Sequence, residues 1–214
     1  MPDIRHARIL MIATHGFEQS ELVEPRHQLR SNGAEVDLAT PDGLPIRGWN
    51  RTDWGETVEA DLKIGEARPD DYDALVLPGG VMNPDKLRTD DATIETVRNF
   101  IDTGKVVGAI CHAPWLLVQA DAIRGRDVTS YQSIRRDVEN AGGQWIDRDV
   151  VADNGIVTSR GPQDIPAFVA KIVEEIQEGR HKRARDLIRP SVPSVPEDPA
   201  PPRRGADSRS SGPS

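Results

Sequence analysis

The chain is predicted to fold as an α/β sandwich around a mostly parallel sheet. Near-continuous apolar runs of strand length recur along it, stretches of 10–16 residues with helical spacing separate them, and glycines close several of those stretches. The first strand is ARILMIA (7–13), and FEQSELVEPRHQLRSNG (17–33) is a helix stopped by Gly33. EVDLAT (35–40) is the second strand. The polar, glycine-bearing stretch 41–61 reads as a short hairpin. YDALVLPGG (72–80) is a buried strand that breaks into a glycine turn, and TDDATIETVRNFIDTG (89–104) is a helix with an N-cap at Thr89 or Asp90. VVGAI (106–110) is a strand, and Ala113, Leu116, Leu117 and Ala120 then follow helical spacing. DVTSY (127–131) is read as a strand and SIRRDVENAG (133–142) as a helix. DVVADNGIVTS (149–159) is a hairpin turning on Asn154-Gly155, and DIPAFVAKIVEEIQEG (164–179) is the closing helix.

The 214 residues suit one domain. Composition shifts after Arg189: residues 190–214 hold seven of the 17 prolines and almost nothing apolar, the pattern of a disordered tail, so the folded domain is expected to span 1–189. A net charge of −8 argues against a nucleic-acid partner. The basic cluster in 179–189 reads as the solvated end of a helix. One cysteine excludes an internal disulfide framework and a cysteine-based zinc knuckle. The apolar run at 9–13 is too short for a secretory leader, and no run approaches the ~18 residues of a membrane span. A cytoplasmic protein without membrane partner, metal or cofactor is the expectation.

In parallel sheets, sites lie beyond the carboxyl ends of the strands. Three such ends converge: the turn 14–18, the turn 78–80 and Cys111. A lone cysteine is more often an inert core thiol. At a strand-to-helix turn, however, the side chain is exposed at an elbow, a helix N-terminus favours thiolate, and free backbone N–H groups hold an oxyanion. These features favour Cys111 as a nucleophile with a depressed pKa. Of five histidines, His6, His27 and His181 read as surface residues, which leaves His112, beside the cysteine, and His15, at a neighbouring strand end, as candidate bases. Gly79 and Gly80 are either an ordinary turn or donors of backbone N–H to a carbonyl attacked by Cys111. Glu18 is either a first-turn helix acid or a partner sharing a proton with the sulfur; the residues leave both open.

GFEQSEL, YDALVLPGG, AICHAPWLL, DVTSY, NAGGQWID and VVADNGIVTSRGPQDIPAF together resemble the PfpI-like intracellular protease/amidase branch of the DJ-one/PfpI superfamily, from about residue 7 to 178. The resemblance implies a flavodoxin-like three-layer sandwich and a Cys111–His112 pair at the elbow. Glu18 is implied as the acid touching the thiol, and Gly80 and the His112 backbone as oxyanion donors. It further implies a homo-oligomer in which Asp85 reaches His112 of the adjacent subunit, and an aromatic at Tyr131. Trp115 stands where the family has a polar residue and reshapes the pocket. The implied function is cysteine-dependent hydrolysis of peptides, amides or carbonyl adducts, as a protease, deglycase or glyoxalase. The alternative is a non-catalytic stress-response chaperone or redox sensor that uses oxidation of Cys111.

Overall fold

The computed structural model describes residues 3–182. The expected tail at 190–214 and the 1–189 boundary lie at or beyond the end of the described residues. Seven strands form one sheet. They are β1 (Arg8–Ile12), β2 (Glu35–Thr40), β5 (Leu62–Lys63), β6 (Ala74–Leu77), β7 (Val106–Ile110), β10 (Val150–Asp153) and β11 (Ile156–Ser159), in the spatial order β10-β11-β7-β6-β1-β2-β5. Every neighbouring pair is parallel except the β10/β11 hairpin. A second hairpin, β3 (Ile46–Asn50) with β4 (Asp53–Val58), occupies the polar stretch as expected. The short strands β8 (Asp127–Val128) and β9 (Gln144–Trp145) pair beside the sheet.

Alternation along the strands divides the core in two. Ile9 and Met11 face one side, where they pack with Leu22 and Leu29 of α1 (Gln19–Ser31) and Phe168 and Ile172 of α6 (Ile165–Glu178). Leu10 and Ile12 face the other, where they pack with Val97 and Phe100 of α3 (Asp91–Asp102) and Leu116 and Leu117 of α4 (Pro114–Gln119). The result is a helix–sheet–helix sandwich with a mostly parallel central sheet. Asp90 caps α3, its carboxylate accepting from the N–H groups of Ala92 and Thr93.

Three readings need adjustment. The strand at 127–131 is only two residues long, because Thr129 onward leaves the sheet toward the elbow. The helix expected at 133–142 opens with a tight turn at Gln132–Ile134, and α5 proper covers Arg135–Asn140. A short helix, α2 (Met82–Leu87), follows the glycine turn without any helical spacing of apolar residues to announce it. Among the described residues no helix is long and apolar enough to cross a membrane.

Candidate active site

β7 delivers the chain to Cys111, which turns it sharply. Cys111 has φ +64°, a left-handed conformation that costs a non-glycine residue about 1–2 kcal/mol. Two backbone hydrogen bonds hold it there: its N–H donates to Ser159 O at 3.0 Å, and its carbonyl accepts from Tyr131 N–H at 2.8 Å. The side chain is almost fully buried, and Sγ lies 3.1 Å from His112 Nδ1. Ala113 is buried without exposed surface, so a larger residue there would meet the core.

On one flank of the sulfur sits a carboxyl group, and it belongs to Glu21, not Glu18. Glu18 is extended, precedes α1 and pairs with Trp49 of the hairpin, while its Oε1 accepts from Ser20 Oγ at 3.3 Å. Glu21 lies one turn into α1, on the same buried face as Leu22, Pro25 and Leu29, and is directed at the elbow. Its Oε2 accepts from Gly79 N–H at 3.1 Å, the carboxyl lies against the Cys111 thiol, and Oε1 has no nitrogen or oxygen partner among the described residues. Burial pushes its pKa up to about 8, so the group is mostly neutral at pH 7. A carboxyl group on the apolar face of an amphipathic helix was the available signal.

The expectation of a depressed thiol pKa fails for the same reason. Burial, and next the Glu21 carboxylate, push Cys111 up, and the N–H groups of Gly80 and His112 only partly counter them. The six residues of α4 add little of the opposing potential. The resting sulfur is S–H, and it needs a base.

The glycine turn fits between these groups. A Cβ on Gly79 would sit 2.5 Å from Glu21 Oε2 and 2.6 Å from both Cys111 Cβ and Ile110 O. Gly80 has φ +81°, and a Cβ there would lie 2.6 Å from Glu18 N. The N–H of Gly79 is spent on Glu21, which removes it from the expected oxyanion donors; that of Gly80 faces the sulfur. Fully buried Asn83 pins the turn: Nδ2 donates to Pro78 O at 2.8 Å and Gly79 O at 3.2 Å, and Oδ1 accepts from Thr14 N–H at 2.7 Å.

The opposite flank is aromatic and more open. The His112 ring stacks on Tyr131, with centroids 4.8 Å apart and planes at 25°, and meets Trp115 edge-on at 5.4 Å. Its Nε2 lies 3.0 Å from Ser133 Oγ, a residue that spacing did not single out. Burial lowers the His112 pKa, which keeps the ring neutral. Trp115 Nε1–H donates to Asp137 at 2.7 Å and its ring carries the Arg88 guanidinium 4.7 Å from the centroid. Arg88 in turn pairs with Asp85 at 2.7 Å on the outside of α2. His15 is exposed and accepts from Arg47 N–H at 3.1 Å, a contact that braces the β3/β4 hairpin.

The family described as DJ-1/PfpI family matches residues 7–175. The chain belongs to the DJ-1/PfpI family. Among its relatives is "Deglycase PfpI" of Pyrococcus furiosus, 41% identical over 167 residues that cover 78% of this chain and 98% of the relative. "Protein/nucleic acid deglycase 2" of Escherichia coli is 43% identical over 164 residues, covering 75% of this chain and 92% of the relative. The crystal structure of Drosophila melanogaster DJ-1beta superposes with a TM-score of 0.73 at 27% identity, covering 81% of this chain and 95% of that one. In this DJ-1/PfpI chain the elbow sets a neutral imidazole on one side of the thiol and a buried acid on the other, each within hydrogen-bonding reach of the sulfur. The set suits addition of sulfur to a carbonyl carbon.

Proposed function

We propose that this protein is a cysteine-dependent hydrolase of the PfpI type that acts on carbonyl adducts as a deglycase, with Cys111 as the nucleophile. The observation that carries the reading is the strained Cys111 backbone, which holds Sγ 3.1 Å from His112 Nδ1 with the Gly80 and His112 N–H groups beside it. Strain of this kind is kept where the surrounding structure enforces it, commonly at functional sites.

The thiol proton passes to His112 Nδ1 as sulfur attacks the carbonyl carbon, and the oxygen that gains the electron pair is met by the two N–H groups. In an amine adduct of an aldehyde, R–NH–CH(OH)–R′, the C–N bond breaks as the carbinol proton passes through His112 to the amine. The thiol then adds to the aldehyde so formed, its proton going to the oxygen to leave a hemithioacetal. An amide collapses instead, expelling the amine with the proton from His112, and water then releases the acid from the thioester. The deglycase names of the two relatives favour carbonyl adducts over peptides. The reading includes a homo-oligomer, dimer or larger. For Asp85 to serve a neighbour's His112, it must leave Arg88 and displace Ser133 from Nε2.

The test is release of the free ε-amine from methylglyoxal-modified Nα-acetyl-lysine, run beside a fluorogenic peptide. Wild type should release amine, and Cys111→Ala should lower the rate at least ~1,000-fold. Equal rates in wild type and Cys111→Ala would overturn the proposal, and turnover of the peptide alone would move the substrate class to peptides.

A further inference from the structure

We propose that Asn83 is the positioning residue for the oxyanion donor: its carboxamide holds the peptide between Gly79 and Gly80 in the orientation that turns the Gly80 N–H toward the sulfur. The proposal rests on the reading of Cys111 as nucleophile and of that N–H as a donor to the developing oxyanion. A planar trans peptide sends its C=O and N–H in opposite directions, so whatever holds the carbonyl aims the amide. The Gly79 carbonyl accepts from Asn83 Nδ2 at 3.2 Å, and the Pro78 carbonyl accepts from the same nitrogen at 2.8 Å. The N–H groups of these two peptides point the other way, that of Gly79 to Glu21 Oε2 at 3.1 Å and that of Gly80 to the sulfur. The orientation of the Asn83 amide is fixed by its partners. Its nitrogen faces two carbonyls, which only accept, and its oxygen faces the Thr14 N–H at 2.7 Å, which only donates.

The need for such a clamp follows from the glycines. No side chain fits at either position, since an added Cβ would stand 2.5–2.6 Å from atoms of Glu21, Cys111 and Glu18. Two glycines in sequence, however, leave the peptide between them free to rotate, because each accepts the backbone angles on either side of a flip. A flipped peptide would present the Gly79 carbonyl oxygen to the sulfur, and that oxygen repels both a thiolate and an oxyanion. Asn83 is placed to prevent it. It is buried without exposed surface in the first turn of α2, and it ties the glycine turn to the end of β1 through Thr14. The Glu18 N–H shares the Gly79 carbonyl at 3.3 Å, so loss of Asn83 weakens the hold without abolishing it. None of these bonds involves His112 or Asp85, so the clamp operates whichever chain supplies an acid to the imidazole.

The experiment compares full-length wild type, Asn83→Ala, Asn83→Asp and Val97→Ala, each checked for folding by circular dichroism. Asn83→Asp keeps the volume and the acceptor for Thr14, but its carboxylate offers no donor to the two carbonyls. Val97 packs on the sheet face opposite α1, so its truncation lowers stability without touching the turn. With methylglyoxal-modified Nα-acetyl-lysine, both Asn83 variants should lose about 10- to 100-fold in kcat at nearly unchanged KM, because the oxyanion exists only after attack. Alkylation of Cys111 by iodoacetamide, which needs no turnover, should slow roughly three- to tenfold in the same variants, the worth of one hydrogen bond to the thiolate. Val97→Ala should match wild type in both. Labelling glycine at its carbonyl carbon and nitrogen singles out the Gly79-Gly80 and Gly142-Gly143 peptides by NMR, and the Gly80 amide of wild type should give one resonance. Unchanged or faster alkylation in the Asn83 variants, or equal losses in Val97→Ala, would overturn the proposal. So would two exchanging Gly80 resonances in wild type, a measurement that stands even where neither Asn83 variant folds. Absent Cys111-dependent turnover in wild type, with the alkylation loss intact, would instead fault the deglycase reading and leave the clamp standing.

Discussion

The two flanks of Cys111 are built in different ways. The acid flank consists of buried Glu21 from α1 and the stretch from the Gly79-Gly80 turn to buried Asn83, locked together by hydrogen bonds to backbone. The imidazole flank consists of the residue next to the cysteine, the Trp115 ring of α4, and the Tyr131 ring and Ser133 from one neighbouring segment, and it is partly open to solvent. The acid flank sets the proton affinity of the sulfur through burial. The imidazole flank supplies the means of removing that proton. Substitutions on the first should act on stability and pH dependence, and those on the second on rate.

Gly79→Ala should have the largest effect, because the new Cβ meets Glu21, Cys111 and backbone oxygen at 2.5–2.6 Å. Overpacking of this kind costs about 1–3 kcal/mol, so chemical denaturation should show that loss together with activity below detection. A stable, active Gly79→Ala would show that the flanks are not as tightly coupled as the packing requires. His112→Ala should lower kcat/KM roughly 100- to 1,000-fold with a melting temperature close to wild type. An equal loss of stability would erase the distinction between the flanks.

Glu21→Gln sharpens it from the other side. Glu21 has a folded pKa of about 8 against 4.5 for the ordinary group, so the native state holds its proton where the unfolded chain has lost it. The stability that this proton binding contributes is full below pH 4.5 and is lost as pH rises through about 8. Glu21→Gln should therefore gain in melting temperature relative to wild type at pH 8–9, and the difference should shrink toward pH 5. Differential scanning calorimetry across that range checks it. Asp137→Asn keeps an acceptor for Trp115 but weakens the bond, and should change KM about two- to threefold with kcat unaltered.

What could be read beforehand follows the same division. The strand and helix order was legible because apolar alternation and spacing are local. The Asn154-Gly155 hairpin and the Asp90 cap were legible because turn chemistry is local too. Cys111 and His112 were legible as neighbours at a strand end. Glu21 was missed in favour of Glu18 because the two lie only three residues apart, and the exact start of α1, which leaves Glu18 extended before it and Glu21 in its first turn, decides which faces the elbow. Ser133 and Asn83 carry no pattern: their roles arise where a tight turn and a short helix meet groups distant in sequence. The thiol pKa was misjudged because its largest cause, burial, depends on the assembled core.

The most direct measurement is the alkylation rate of Cys111 against pH in wild type and Glu21→Gln. The account predicts no thiolate plateau below pH 8.5 in wild type. It predicts near-identical rates of the two proteins below pH 7, where Glu21 is neutral, and faster alkylation of Glu21→Gln above pH 8, where the wild-type carboxylate opposes the thiolate. A wild-type midpoint well below 8.5, or slower alkylation of Glu21→Gln above pH 8, would contradict it.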